Sequence, residues 1–298
     1  MFITNTINLS KAFVLACRPK TLGAMFCPVV IGLCFAYKKQ QFSWFYAFCT
    51  LTCSLLLQVL ANLANDYGDF LKKADTNERL GPIRVMQMNI ISPNTMIFFI
   101  TITLLICLTL GLIISLKSGW VIVLTGLISV IIALGYTLGP FALAYFGFCE
   151  VIVWFIFGPI SALGTYYVQT ESLSLQVFLA SLSSGFLASA LLLTNNLRDI
   201  KEDKKNHKKT IAVRYEENFC RKLLLALLAL SFLTPILLSY YNKNLLFLLS
   251  GLVLLIPFKK IKMILHEKVS KNFNNLLADI GKTLYLFALF LGLIIIYV

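Results

Sequence analysis

The sequence predicts an all-α polytopic membrane protein with about nine transmembrane helices around a central cavity. The first observation is composition: 59% of the 298 residues are hydrophobic and 13% are charged, whereas roughly a quarter of a soluble domain is charged. The second is that uncharged apolar runs of about 20 residues, long enough to cross a bilayer, recur along the whole chain. We therefore expect one transmembrane domain over residues 1–298.

Nine apolar windows follow one another from the N-terminus, and each is a candidate membrane-spanning helix. The eighth is the shortest, and it contains Gly251 and Pro257, which both disfavour a continuous helix. The windows cover residues 21–37, 42–65, 97–116, 118–137, 149–169, 173–196, 222–241, 244–258 and 279–298.

The basic residues predict the orientation, because Lys and Arg in short loops stay on the cytoplasmic side. With the N-terminus inside and nine spans, 22 of the 26 Lys and Arg are cytoplasmic and the C-terminus is outside. The four on the other side are Lys38, Lys39, Lys117 and Lys243. The net charge of +13 is thus mainly a topology signal. It is dispersed over loops and forms no compact basic domain, so we expect membrane lipid and no nucleic acid as a partner.

Acidic residues concentrate in two polar segments, which we take as motif loops at approximately 62–96 and 195–221. These segments hold nine of the 13 acids, and both are predicted to be cytoplasmic. One interpretation is that acids simply occur where water is. The nine are Asp66, Asp69, Asp75, Glu78, Asp199, Glu202, Asp203, Glu216 and Glu217.

The spacing of these acids favours a more specific interpretation. Asn62 and Asp66 are four residues apart, as are Asn195, Asp199 and Asp203, so each set shares one helix face. The two sets are 133 residues apart with four helices between them, which indicates an internal parallel repeat with both sets on the same membrane side. Carboxylate and amide oxygens are the ligands that Mg²⁺ prefers.

Basic side chains lie among these acids and predict an anionic substrate. Arginine can bind phosphate through two parallel hydrogen bonds and stabilise a departing diphosphate. Two acidic clusters with interleaved cations therefore fit a diphosphate bridged by magnesium. The cations are Arg18 and Lys20 before the first window, Arg79 and Arg84 in the first loop, and Arg198, Lys201, Lys208 and Lys209 in the second.

These residues resemble the aspartate-rich motifs of the UbiA superfamily of intramembrane aromatic prenyltransferases, of the form Asn-x-x-x-Asp-x-x-x-Asp. The second motif matches in full, whereas the first has Phe70 at its last position. The first motif, continuing into Arg79-Leu-Gly-Pro-Ile-Arg84, is similar to the branch of 1,4-dihydroxy-2-naphthoate polyprenyltransferases. The segment Arg18-Pro19-Lys20-Thr21-Leu22 and the segment from Asn196-Leu-Arg-Asp-Ile through Lys209-Thr210 agree with that branch.

The resemblance implies a nine-helix enzyme of a bacterial inner membrane that uses Mg²⁺, a polyprenyl diphosphate and 1,4-dihydroxy-2-naphthoate to make demethylmenaquinone. The implied metal ligands are Asn62, Asp66, Asp69, Asp75, Asn195, Asp199 and Asp203. The implied catalytic residues are Asp66, Asp69, Asp199, Asp203 and Arg79. The implied substrate contacts are Arg84, Arg198, Lys209, Arg18, Lys20, Tyr67, Asn65 and Asn196.

Further candidates have roles that the sequence leaves open. Tyr67, Tyr136, Tyr145, Tyr166 and Tyr167 could each face an allylic cation, but interfacial tyrosines are common in membrane proteins. Glu150 begins the fifth window, where it either closes the cavity or is an ordinary acid at a helix N-terminus.

Two classes of alternative remain open at this point. Within the enzymes, the aromatic acceptor could be 4-hydroxybenzoate or homogentisate. Outside them, a secondary transporter would also contain repeats, but its acids are expected near the membrane centre, where this sequence has none.

Overall fold

The computed structural model describes residues 8–72, 80–82, 84–139, 143 and 147–298, and the regular elements in these ranges are helical. Short π and 3₁₀ segments join several of the helices, at Ile156–Ile160, Leu245–Ser250 and Pro257–Lys260. The α-helices are α1 (Leu9–Cys17), α2 (Pro19–Lys38), α3 (Trp44–Leu71), α4 (Pro93–Ser118), α5 (Trp120–Gly135), α6 (Cys149–Phe155), α7 (Ser161–Thr170), α8 (Leu175–Arg198), α9 (Ile200–Lys205), α10 (Ile211–Leu230), α11 (Leu233–Asn242), α12 (Gly251–Leu254), α13 (Ile261–His266) and α14 (Phe273–Tyr297).

Seven helical segments within the described ranges are long and apolar enough to cross a membrane. They are Pro19–Lys38, Trp44–Leu71, Pro93–Ser118, Cys149–Thr170, Leu175–Arg198, Ile211–Asn242 and Phe273–Tyr297. An eighth apolar helix, α5, is shorter, at 16 residues. The predicted all-α membrane fold is confirmed, and the count of nine spans stays a prediction.

The eighth apolar window is not one regular helix. It consists of the 3₁₀ segment Leu245–Ser250, the single turn of α12 and a second 3₁₀ segment that starts at Pro257. Pro257 has no backbone N–H and cannot continue an α-helix in its middle. Gly251 and Pro257, the two helix-disfavouring residues of this window, are thus the first residues of α12 and of the second 3₁₀ segment.

The fifth window contains a kink for a related reason. Gly158 has non-helical dihedrals (φ −126°, ψ −108°) and precedes Pro159, so α6 and α7 are joined by a π-helical segment. Proline and π-bulges are the usual causes of sharp helix kinks. At this kink the chain passes closely by α8, because a Cβ on Gly158 would lie 3.1 Å from the Cα of Gly185.

Helix α8 lies at the centre of the bundle. In its apolar window 78% of the residues are buried, against 17% in that of α4, which lies at the periphery. The main core unites side chains of α2, α7, α8, α10 and α14. Small residues allow close approach at these contacts: a Cβ on Gly281 of α14 would lie only 2.5 Å from the carbonyl oxygen of Lys20 in α2.

Both acidic motifs lie at the C-terminal ends of central helices. Helix α3 continues six residues beyond its predicted window, so the stretch from Asn62 to Asp69 is helical. The second motif starts in the last turn of α8 and continues through Asp199 into the short helix α9. The motifs are therefore displayed on helix ends, where side-chain spacing along one face is preserved.

Candidate active site

The first motif places two buried carboxylates beside arginine side chains. Asp66 and Asp69 are each only 2% exposed. Oδ1 of Asp66 accepts a hydrogen bond from Nη2 of Arg18 at 2.8 Å and lies 3.6 Å from Nη1 of Arg84. The same Arg84 nitrogen forms an ion pair with Asp69. Because burying an unpaired carboxylate costs several kcal/mol, these arginines are a condition for the acids to be buried at all.

The second motif has its own arginine. Arg198 binds Asp199 in a bidentate manner, with Nε at 2.7 Å from Oδ1 and Nη2 at 2.6 Å from Oδ2. Its remaining group, Nη1, donates to Oδ1 of Asn274 in α14 at 2.7 Å. Asn274 in turn donates to the carbonyl oxygen of Leu80, which follows the first motif. The last helix thereby connects the two acidic segments.

Lys208 connects the two motifs directly. Its Nζ lies 3.1 Å from Oδ1 of Asp69 and 3.9 Å from Oδ1 of Asp203. Since Asp69 lies in the last turn of α3 and Asp203 lies in α9, one ammonium group contacts a carboxylate of each motif. The two acidic motifs, which are 133 residues apart in the sequence, therefore lie next to each other.

Opposing interactions act on the pKa of Asp203. Burial raises the pKa of Asp203, Lys208 opposes this, and Asp199, Asp69 and Glu202 add repulsion, so the pKa lies at about 7. Burial alone would lower the pKa of Lys208, but Asp69 and Asp203 raise it. The two carboxylates therefore favour the charged form of Lys208, and the charge of Asp203 depends on the groups around it.

A cavity of about 350 Å³ begins at this cluster and extends into the bundle. Along α3 its wall runs from Asp69 to Thr50, which is about 28 Å at 1.5 Å per residue. Carboxylates and cations form one end, and apolar side chains such as Leu57, Ile114 and Val168 line most of the remainder. The cavity therefore fits a long apolar molecule that carries a charged group at one end.

The carboxylates at the cavity mouth suit a hard divalent cation. Within the described residues, no three His, Cys, Asp or Glu side chains converge on one point. Mg²⁺ typically takes one or two carboxylates and completes its octahedron with water and substrate phosphates. The pairs Asp66 with Asp69 and Asp199 with Asp203 supply such donors, and Asn195 lies beside them on the cavity wall.

The model of the UbiA prenyltransferase family matches residues 25–278. The chain belongs to this family. A relative in Escherichia coli strain K12, named 1,4-dihydroxy-2-naphthoate octaprenyltransferase, is 36% identical over 224 residues, which is 72% of each chain. A relative of the same name in Haemophilus influenzae is 35% identical over 227 residues, covering 72% of this chain and 74% of that one.

Solved structures agree with this UbiA-family assignment at the level of the fold. A UbiA homologue from Archaeoglobus fulgidus bound to DMAPP and Mg²⁺ superposes with a TM-score of 0.64, covering 96% of this chain and 99% of that one. The sequence identity is 17%. The same homologue bound to GPP and Mg²⁺ gives the same TM-score.

Most of the acids and arginines that the UbiA motifs suggested come together in the structure, with Asn65 and Asn195 on the cavity wall. Two of the asparagines bind other protein groups through their side-chain amides. Asn62 donates to the carbonyl oxygen of Cys17 at 2.8 Å and to Thr21, and Asn196 donates to Oε1 of Glu150 at 2.7 Å. Asp75, Arg79 and Tyr145 lie outside the described residues.

Other suggested residues of this UbiA-family chain lie apart from the described cavity wall. Lys20 and Lys209 are exposed, and Tyr67 packs against the apolar cluster between α1 and α3. Among the other described tyrosines, Tyr136 lines the cavity. Tyr166 packs into the main core, and Tyr167 is half-buried away from the cavity wall.

Sequence reasoning did not select several polar residues that the structure brings to the site. Lys208 was one of several cations in the second loop, and nothing in the sequence distinguishes it from Lys209. Asn274 and Thr137 belong to no motif and come from other parts of the chain. Their roles follow from long-range packing, which local spacing does not encode.

Proposed function

We propose that this protein transfers a polyprenyl group from a polyprenyl diphosphate to 1,4-dihydroxy-2-naphthoate, releasing diphosphate and CO₂ and giving demethylmenaquinol, the reduced form of demethylmenaquinone. The observation that supports this most strongly is the cavity, which runs about 28 Å along α3 and has a carboxylate and arginine cluster at one end and mostly apolar side chains over the remainder. The names of the similar bacterial proteins specify the acceptor.

The cluster at the cavity mouth binds the diphosphate group. Mg²⁺, when bound by the carboxylate pairs, neutralises charge on the diphosphate oxygens. Arg18 and Arg84 are close enough to Asp66 to serve the same head group, and bidentate contacts between arginine and phosphate are strong. We place Arg79 and Asp75 of the first motif, which lie outside the described residues, in this head-group site as well.

The apolar cavity holds the isoprenoid chain and excludes water from the reacting carbon. When the allylic C–O bond breaks, its electrons leave with the diphosphate, where arginine side chains stabilise the growing charge. The ring carbon that bears the carboxyl group attacks the allylic carbon and forms the C–C bond. The carboxyl group then leaves as CO₂, and its bonding electrons restore the aromatic ring.

The test is incubation of membranes containing the protein with a labelled polyprenyl diphosphate, Mg²⁺ and competing acceptors. We expect a decarboxylated prenyl naphthoquinol and no product from 4-hydroxybenzoate or homogentisate. Asp66→Asn and Asp199→Asn should each abolish turnover, and Glu171→Gln, which changes an exposed acid elsewhere, should not. EDTA should stop the reaction and Mg²⁺ restore it, so activity that persists in chelator would count against the metal assignment.

We also propose nine spans in a bacterial inner membrane, with the N-terminus and both motifs cytoplasmic and the C-terminus outside. The distribution of 22 basic residues against four supports this orientation. A reporter enzyme that folds only outside the cytoplasm, fused after Val298, should be active. A fused fluorescent protein that matures only in the cytoplasm should stay dark, and a fluorescent fusion would contradict the orientation.

A further inference from the structure

Helix α3 contacts Arg18 through two side chains that are one helical turn apart. Asn62 and Asp66 point to the same side of α3, because residues four apart share a face. The amide nitrogen of Asn62 donates to the carbonyl oxygen of Cys17 at 2.8 Å. Oδ1 of Asp66 accepts from Nη2 of Arg18, also at 2.8 Å. One face of α3 therefore holds both the backbone that precedes this arginine and its guanidinium group.

The backbone of Arg18 has a conformation that needs such support. Arg18 lies between α1 and α2 in the left-handed region, with φ 51° and ψ 67°. A residue with a side chain adopts this region mainly where the surrounding structure holds it there. The hydroxyl of Thr21 donates to the carbonyl oxygen of Arg18 at 2.9 Å and accepts from the amide nitrogen of Asn62 at 3.2 Å. Asn62 is thus hydrogen-bonded to the chain on both sides of Arg18.

The orientation of the Asn62 amide follows from these neighbours. A carbonyl oxygen only accepts hydrogen bonds, so the group that faces Cys17 must be the amide nitrogen. Oδ1 of Asn62 lies 3.5 Å from Nε2 of Gln58, one turn earlier in α3. Asn62 is 5% exposed, so water does not replace these contacts. Both polar atoms of this buried side chain therefore face protein groups.

These contacts differ from those that a metal ligand requires. Magnesium binds the oxygen of an asparagine side chain and does not need its nitrogen. Asn62 and Asn195 hold corresponding places in the two motifs, and both line the cavity. The hydrogen bonds of Asn62 to the turn around Arg18 give it a role that the repeated spacing does not predict.

We propose that Asn62 is a positioning residue for Arg18 and not a metal ligand. It fixes the turn from Cys17 to Thr21, so that the guanidinium group of Arg18 stays at the cavity wall, where a phosphate can take it over from Asp66. This inference rests on the proposed function, in which Arg18 contacts the diphosphate. The four-residue spacing of Asn62 and Asp66 then matches the backbone and the head group of one arginine.

Binding of inorganic pyrophosphate and Mg²⁺ to the purified protein, measured by calorimetry, tests this role without turnover. Asn62→Ala should raise the Kd for pyrophosphate about three- to tenfold, as expected for a lost hydrogen bond, and Arg18→Gln should raise it as well. In the Arg18→Gln background, Asn62→Ala should add nothing, because its effect passes through that arginine. Thr21→Val keeps the shape and removes the hydroxyl between the two residues, so it should show the same dependence on Arg18.

Asn195→Ala is the comparison variant, because Asn195 is the candidate metal ligand at the corresponding place in the second motif. Its effect on the Kd for pyrophosphate should keep its full size in the Arg18→Gln background. The affinity for Mn²⁺ at saturating pyrophosphate, measured by electron paramagnetic resonance, should fall in Asn195→Ala. It should stay at the wild-type value in Asn62→Ala and Thr21→Val.

The possible results separate this inference from the proposed function. If Asn62→Ala raises the Kd equally in the wild-type and Arg18→Gln backgrounds, or if it weakens Mn²⁺ binding, the positioning role is overturned and the proposed function stands. A wild-type protein that binds no pyrophosphate removes both. Thermal unfolding in detergent identifies a misfolded Asn62→Ala protein, and Thr21→Val then provides the comparison with Arg18→Gln.

Discussion

Replacing Asn274 by alanine is expected to weaken the connection between the two acidic segments. The side chain uses both of its polar ends: Oδ1 accepts from Arg198 at 2.7 Å, and Nδ2 donates to the carbonyl oxygen of Leu80 at 2.9 Å. Arg198 is 3% exposed and also holds Asp199. Alanine leaves a buried guanidinium N–H without its acceptor and frees the segment that follows the first motif.

The size of the destabilisation follows from the two hydrogen bonds that Asn274→Ala removes. A hydrogen bond to a charged group contributes about 1.5–3 kcal/mol, and a neutral one about 0.5–1.5 kcal/mol. Asn274 is half-buried, so water replaces part of the loss, and about 2–4 kcal/mol of destabilisation remains. For a chain of this size this corresponds to a fall in Tm of about 3–8 °C.

The assay compares Asn274→Ala with Asn275→Ala in purified protein. Asn275 is the next residue of α14 and is exposed, so its removal should change neither Tm nor turnover. Asn274→Ala should lower Tm and raise the KM for polyprenyl diphosphate, because Arg198 then holds Asp199 less firmly. Asn274→Asp, which keeps an oxygen for Arg198, should recover part of the KM. Equal Tm and equal KM in the two alanine variants would refute the reasoning.

Three further substitutions test other parts of the structure. Lys208→Met should lower kcat/KM about 100-fold or more, because it removes the cation that lies beside Asp203 and one of the cations beside Asp69. Lys209→Met, at an exposed position, should keep kcat/KM within about twofold of the wild-type value. An equal loss of kcat/KM in the two variants would contradict the role given to Lys208. Gly281→Ala should lower Tm by several degrees, since its Cβ would meet a backbone carbonyl of α2 at 2.5 Å and overpacking costs about 1–3 kcal/mol. Gly111→Ala, with no atom within 4 Å, should not lower it. Arg221→Ala should destabilise by about 3 kcal/mol, because its buried guanidinium donates to four oxygen atoms; an unchanged unfolding temperature would contradict this.

Much of the fold and part of the site could be predicted from residue spacing. Hydrophobic runs predicted membrane helices because burial of apolar residues in lipid depends on local composition and length. The four-residue spacing in Asn195, Asp199 and Asp203 predicted a shared face, and the structure places Asp203 and Asp69 around one lysine. The irregular eighth window was harder to foresee, because Gly251 and Pro257 disfavour a helix without specifying what replaces it.

The choice of cations could not be predicted in the same way. Lys208 and Lys209 follow α9 in a non-helical turn, where no periodicity tells which of two neighbouring side chains faces inward. Asn274 is 76 residues from Arg198 and 194 from Leu80. Contacts of that range depend on how helices pack, so a sequence pattern provides no local signal for them.

The pairing of buried acids with cations at the polar end of the cavity has a consequence for the binding of the proposed diphosphate. In the described part of the cluster, each of Asp66, Asp69, Asp199 and Asp203 already has an arginine or lysine beside it. Under the proposed function, a phosphate that bound one of these arginines would remove it from a carboxylate, and a magnesium ion on that carboxylate would make up the loss. Binding would then be an exchange of partners in which metal and diphosphate each depend on the other, so we expect the affinity for each to rise when the other is present.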